Sequence, residues 1–399
     1  MRSRVNVAVI IAVLALFALS ARAQQVSLLS PPGEPDPLAP ALNAAYNVEY
    51  QKAQLLLNAW LKEHPEDYRA WNYLAEAVLN EEMVKESLFS GNTYLNGGKV
   101  FQSRGQPLPD GFSEKLNTLL DRAETFEQRR LKQNSKDEDA LYWLGVTYST
   151  RAEFDFVLLR SYFAALREGR KAWQVNRLLL KLNPRCADAL FVLGIADYAG
   201  GILPWYAKML TALAGIHGSV PRGIAELRSS ERGRYTRVDA KIVLVAIYER
   251  EKMYGQALDL LRQLENEFPE NYLSVLEAGR VYEMQGDWRG AAGAYDTAVV
   301  RLVRDKPDLS RSLTATILYR DAQAHEHLGD LAQALDLYHE AAKQPVKSLD
   351  VYRAEMAAAA LDRKANHLVR ARQEYQRVIE ATPNTSLGTA ARQALQELH

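Results

Sequence analysis

The sequence predicts an all-α fold, an α-α superhelix of antiparallel helix pairs with two insertions and a C-terminal capping helix. Three observations predict it. From Ala41 onward, period-two alternation of apolar and polar residues is hard to find, so strands have little support. Ala-rich amphipathic segments of about 12–16 residues succeed one another, with proline recurring at their ends, the punctuation of consecutive helices. Ala257 and Ala291 stand 34 residues apart in similar surroundings, and self-similarity at a fixed period marks a repeat architecture. Composition agrees, because 48% hydrophobic and 25% charged residues are ordinary globular values.

The elements follow in chain order. Arg2 and Arg4 precede an apolar run over residues 5–19, broken only by Asn6, and Ala21-Arg22-Ala23 has the small-x-small pattern of a signal-peptidase site. The run is short for a membrane span, which needs about 20 residues. Residues 1–23 therefore read as a signal peptide, which implies export to a bacterial periplasm or the secreted space; a retained N-terminal anchor is the alternative. Cleavage would remove three basic side chains (Arg2, Arg4, Arg22) of the 49 and none of the 49 acids, leaving a net charge of about −3. That balance provides no field for nucleic acid, so no nucleic-acid partner is expected. Cys186 is the single cysteine. No cysteine stands at the cleavage junction for a lipid anchor, and one thiol makes no intramolecular disulfide. Residues 24–40 carry Pro31, Pro32, Pro35, Pro37 and Pro40 and read as an extended leader.

Residues 41–237 carry irregular helical repeats. Ala53, Trp60 and Pro65 mark the second helix of a pair; Trp71, Leu74 and Ala75 mark the first helix of the next. Leu144-Gly145 with Tyr148, then Ala172, Pro184 and Leu193-Gly194, continue the theme across insertions near 91–111 and 199–223. Residues 238–385 are regular. Successive units carry Leu244, Tyr248, Ala257 and Leu261; Gly279, Tyr282, Ala291, Tyr295 and Ala298; Ala322, Ala334, Tyr338 and Ala341; Ala359, Ala371, Tyr375 and Val378. Small residues belong where two helices of a pair touch, and the tyrosines fill the space to the neighbouring pair. Gly286-Asp287 and Gly329-Asp330 supply a left-handed turn and a helix cap. Residues 386–399 form a polar-faced capping helix, which a stack of pairs requires at its end.

These residues resemble the tetratricopeptide repeat family, most closely over 238–385. The resemblance implies about seven repeats in one solenoid whose first helices line a concave groove, a protein-binding scaffold with no cofactor, no metal and no enzymatic activity. Phe191, Tyr198, Asp239, Ile242, Glu249, Leu276, Arg280, Glu283, Tyr319 and Gln323 would face that groove, a mixture of aromatics and both charge signs suited to an extended peptide or a helix. The Lys/Asn/Arg clamp that some members use on chaperone C-termini is not reproduced, because Asn72 has no second Asn one turn on.

Two further features compete with bland explanations. The insertion bears Trp205, Tyr206, Met209 and Leu213 between glycines; it packs as an extra helix, forms part of a partner or hydrophobic-ligand site, or touches a membrane surface. Residues 198–227 are similar to a motif of the inclusion-body clearance branch of tetratricopeptide proteins, through Leu203-Pro204, Gly218 and Gly223-Ile224 with Leu227. Arg222, Arg228, Arg232 and Arg234 suit a carboxylate or phosphate ligand, and a solvated helix–loop–helix face is the more ordinary explanation of the same residues. Catalytic signals are weak. His325 and His327 are two apart, whereas zinc-binding histidines on one helix face lie four apart, and Gly97-Gly98-Lys99 lacks the remainder of a phosphate loop. The function expected is a protein-interaction scaffold, with a hydrophobic-ligand or membrane-surface binder through 199–216 as the alternative.

Overall fold

The computed structural model describes residues 36–85, 107–203, 218–305 and 311–398. Among them are seventeen α-helices and no strand. They divide between Phe268 and Pro269 into two compact units. The first holds α1 (Ala39–Tyr46), α2 (Tyr50–Glu63), α3 (Tyr68–Lys85), α4 (Phe112–Gln133), α5 (Glu138–Val157), α6 (Tyr162–Leu182), α7 (Ala189–Gly201), α8 (Val220–Ser230), α9 (Arg237–Arg250) and α10 (Tyr254–Glu267). The second holds α11 (Tyr272–Gln285), α12 (Trp288–Asp305), α13 (Arg311–Leu328), α14 (Leu331–Ala342), α15 (Leu349–Lys364), α16 (Leu368–Ala381) and α17 (Ser386–Gln396).

Within each unit every odd-numbered helix packs on the next even one, and each second helix packs on the first helix of the following pair. Eight pairs result, one more than the repeats the sequence suggests. The first pair is α1 with α2, whose second helix is the one marked by Ala53 and Trp60. Its first helix begins at Ala39 rather than after the leader, with Pro40 in the first turn, where the missing N–H costs nothing. The signal-peptide residues 1–23, leader residues 24–35 and most of the first insertion lie outside the described residues, as do 204–217 of the second.

The repeat positions do what their chemistry dictates. Ala257, Ala291, Ala334 and Ala371 are fully buried, and Tyr295, Tyr338 and Tyr375 nearly so. A methyl group at Gly279 would lie 2.5 Å from the Tyr295 ring, so only glycine lets α11 and α12 approach this closely. Gly286 and Gly329 end α11 and α13 with φ of 76° and 82°, the left-handed turn expected of them. The equivalent turns elsewhere hold Val48, Arg160, Lys252 and Asn366 at φ of 54–64°, so the same bend is kept where no glycine announces it. Asp330 caps α14 by accepting the Gln333 N–H, and Thr385 caps α17 by accepting the Gly388 N–H.

The second insertion leaves a clear trace at its base. A side chain at Gly218 would lie 2.2 Å from the Gly200 backbone, and one at Gly201 would lie 2.3 Å from the Val220 backbone. The two stems of the insertion are therefore held in backbone contact, and α7 crosses α8 through Gly194 and Gly223.

Candidate protein-binding surface

In the first unit the faces carried by the first helices are filled by the unit's own side chains. Tyr73 meets Trp143 edge-on at 4.9 Å, Trp143 meets Tyr235 at 5.1 Å, and Tyr235 stacks on Tyr142 at 4.7 Å. Such pairs stabilise by about 0.5–1.5 kcal/mol each beyond the area they bury. Tyr46 of α1 reaches across to Phe268 at a ring distance of 4.9 Å, and its hydroxyl donates to Asp239 at 3.4 Å. Tyr46 joins Val238, Leu264 and Phe268 in one apolar cluster, with Ile242 packed against it. Asp188 ties the segment before α9 in place. Its carboxylate accepts the Tyr235 N–H at 2.7 Å, the Thr236 N–H at 3.0 Å and the Arg234 N–H at 3.1 Å.

Four residues expected to line a groove are withdrawn from it, and a fifth is left half-buried. Phe191 and Tyr198 are wholly buried, with the Tyr198 hydroxyl donating to Glu251 at 2.8 Å. Asp239 and Glu249 are buried and Ile242 is half-buried. Tyr46 of α1 packs with Val238 and bonds to Asp239, and Tyr198 is tied to Glu251, so these positions become core. The arginines do not converge on a shared anion site. Arg222 donates to Asp197 at 2.6 Å, and Arg228 donates to the Tyr248 hydroxyl at 2.7 Å. Arg234 lies over the Tyr235 ring, and Arg232 is exposed. Trp205, Tyr206, Met209 and Leu213 lie outside the described residues.

The second unit differs. Leu276 and Glu283 on α11, with Tyr319 and Gln323 on α13, remain half-buried. Arg280 is buried along its length and pairs with Glu277 at 2.8 Å. Arg320 joins α13 to Glu283 of α11 at 2.8 Å, and the Thr316 hydroxyl donates to Asp350 of α15 at 2.7 Å. Burial pushes the Tyr319 hydroxyl up, partly countered by Arg353. The first helices of the three pairs thus form a continuous face of apolar and aromatic groups set among already paired charges. Such a face loses little on desolvation, because its charges bring their partners with them.

Two groups of side chains in the second unit could hold a metal ion: Asp296, Asp321 and His325, and His339, Asp362 and Glu374. The sequence pointed to neither. His325 stands two residues from His327 in sequence, whereas the fold joins it to Asp321, four residues earlier on the same helix face, and to an acid of the preceding pair. The Asp321/His325 spacing was the available signal. Among the described residues, no helix is long and apolar enough to cross a membrane.

This geometry defines a protein of the stacked helix-pair class. Residues 248–310 and 276–348 match the tetratricopeptide repeat family, so the segment 248–348 consists of tetratricopeptide repeats. The chain is also similar to three solved folds. The Cut9–Hcn1 hetero-tetramer of the APC/C shares 11% identity over 90% of this chain and 55% of that one, with a TM-score of 0.47. PilW, a type IV pilus biogenesis factor, shares 15% over 61% and 94%, with a TM-score of 0.39. The human IFIT1 dimer with m7Gppp-AAAA shares 12% over 98% and 85%, with a TM-score of 0.41. The chain spans about half the length of the first of these. Comparison with curated protein sequences gives no match. The repeat match stops short of residues 198–227, whose likeness to the inclusion-body clearance branch rests on sequence alone.

Proposed function

We propose that this protein is an exported, non-enzymatic scaffold of the cell envelope or secreted space that binds a partner protein through the first-helix face of its second unit. One observation carries the reading. The first unit closes its inner face with its own aromatics, while the second leaves Leu276, Tyr319 and Gln323 half-exposed on the helices that carry the paired Arg280 and Arg320. Aromatic and arginine side chains at such positions are the groups that dominate binding energies. An extended peptide or an amphipathic helix fits a face of this composition. The positively charged start, apolar run and Ala21-Arg22-Ala23 support export.

Photo-crosslinking in the full chain tests the reading. A photoreactive residue at Gln323 is expected to capture a discrete partner from an envelope fraction, and one at Glu340, on an exposed second helix, is not. Tyr319→Ala is expected to lower that capture about tenfold or more, the effect of losing one anchor. Equal capture from both positions, or capture indifferent to Tyr319→Ala, overturns the assignment of the face. N-terminal mass analysis of the mature protein tests export; a chain still beginning at Met1 refutes cleavage after Ala23.

A further inference from the structure

We infer that Asp296, Asp321 and His325 form a binding site for one divalent transition-metal ion of the zinc class, clamping two successive helix pairs together. Asp296 projects from α12, the second helix of one pair, and Asp321 and His325 from α13, the first helix of the next. One ligand atom from each lies within 4.8 Å of the others. Asp321 is fully buried, and among the described residues neither of its carboxylate oxygens accepts an N–H or hydroxyl donor. His325 Nε2 is also buried without one, and stands 3.7 Å from Asp321 Oδ1. Oxygen and nitrogen ligands about 2.0–2.1 Å from a tetrahedral zinc lie a little over 3 Å apart. Contraction by a few tenths of an ångström at this pair would therefore complete that edge. Asp296 is exposed, giving the site an opening through which an ion and its remaining waters can enter.

A buried carboxylate normally has a cation or several N–H groups in contact, because an isolated buried charge is costly. Among the described residues Asp321 has no lysine, arginine or N–H donor in contact; its neighbours are His325 and a second carboxylate, Asp296. Two acids and an imidazole converging without a lysine or arginine make a negative pocket that a divalent cation neutralises. The imidazole is oriented for it. His325 Nδ1 faces Asp330 Oδ2 at 3.8 Å, leaving Nε2 for the metal, the carboxylate–histidine arrangement that commonly supports such ligands. One nitrogen with two oxygens, and no thiolate, fits zinc and its neighbours rather than calcium or magnesium.

The second group provides an internal comparison. His339 follows Tyr338 as Asp296 follows Tyr295, and Asp362 stands three residues after Ala359 as His325 stands after Ala322. The two clusters occupy equivalent places in successive interfaces with acid and imidazole exchanged. In the second, however, His339 Nε2 already contacts Glu374 at 2.9 Å and Asp362 at 3.4 Å. Asp362 is further paired with His367 at 2.9 Å and Arg370 at 3.6 Å. A metal there would have to displace an existing cation network, whereas at Asp321, among the described residues, the one ion pair is with His325, itself a ligand.

Zinc chloride titrated into the chelator-treated full chain, read by competition with a chromophoric chelator and by thermal unfolding, tests the assignment. One equivalent is expected to bind and to raise the unfolding midpoint. Asp321→Asn and His325→Gln are each expected to weaken binding by at least about 100-fold, since even residues behind the ligands are worth about 10–100-fold. Asp321→Asn keeps the shape and can carry no buried charge, so it folds; His339→Gln is expected to bind as the unaltered protein does. No binding at about 100 μM zinc, or undiminished binding by Asp321→Asn and His325→Gln, overturns the site.

Discussion

Replacing Gly223 by alanine tests whether the base of the second insertion is held by backbone contact. In the structure the added methyl would lie 2.4 Å from the Tyr198 nitrogen, 2.6 Å from the Gly194 oxygen and 2.7 Å from Tyr198 Cβ. Two of these atoms are backbone, so no rotamer change relieves the clash, and α7 and α8 must separate by roughly 1 Å to restore ordinary contact. Overpacking of this kind costs about 1–3 kcal/mol, and a rigid neighbour places it at the upper end. For a unit of this size each kcal/mol moves the midpoint by about 2–4 °C, giving a fall of about 5–10 °C. Tryptophan fluorescence is the appropriate assay, because five of the six tryptophans (Trp60, Trp71, Trp143, Trp173, Trp205) belong to the first unit. Gly255→Ala is the control in the same unit. Its methyl would meet nothing within 4 Å, so the better helix propensity of alanine is expected to stabilise by about 0.5 kcal/mol. A Gly223→Ala midpoint within about 1 °C of the unaltered protein would refute the crossing argument.

Asp188→Ala removes the acceptor shared by the Arg234, Tyr235 and Thr236 N–H groups; a loss of about 3 kcal/mol in denaturant unfolding is expected, with Asp188→Asn intermediate. Glu127, buried and accepting from Asn72 at 2.7 Å and Thr147 at 3.0 Å, is pushed up to about 8, chiefly by burial. The folded chain then keeps a proton that the unfolded chain loses near pH 4.5, so stability falls as pH rises from about 4.5 to about 8. Glu127→Gln is expected to flatten that slope in the tryptophan signal and to be the more stable form by about 2 kcal/mol at pH 8. Glu226, raised to about 7 by burial and Asp197, leaves a residual slope. Lys252→Gly relieves an exposed left-handed residue at φ 58° and is expected to raise the midpoint, by about 0.5–1 kcal/mol in stability.

The parts of this protein legible in the sequence are those fixed by neighbours in the chain. Ala291, Tyr295, Ala334 and Tyr338 recur because each helix must fit the next one, and a local requirement leaves a local period. Gly286 and Gly329 were readable as left-handed turns because glycine is cheap there; Val48, Arg160, Lys252 and Asn366 make the same turn without that mark. What closes the first unit was hidden for a different reason. Tyr46 meets Phe268, and Tyr142 meets Tyr235, contacts between residues far apart in sequence that no repeat period encodes. A periodic reading assigns Phe191, Tyr198 and Asp239 to an inner face but cannot say whether that face meets solvent or the unit's own side chains. The distinction decides where a partner can bind. It also explains why the acid–imidazole group went unread, since Asp296 and Asp321 belong to different pairs and meet only where those pairs stack. The long-range contacts of this chain therefore sit at the joints between repeats rather than within them.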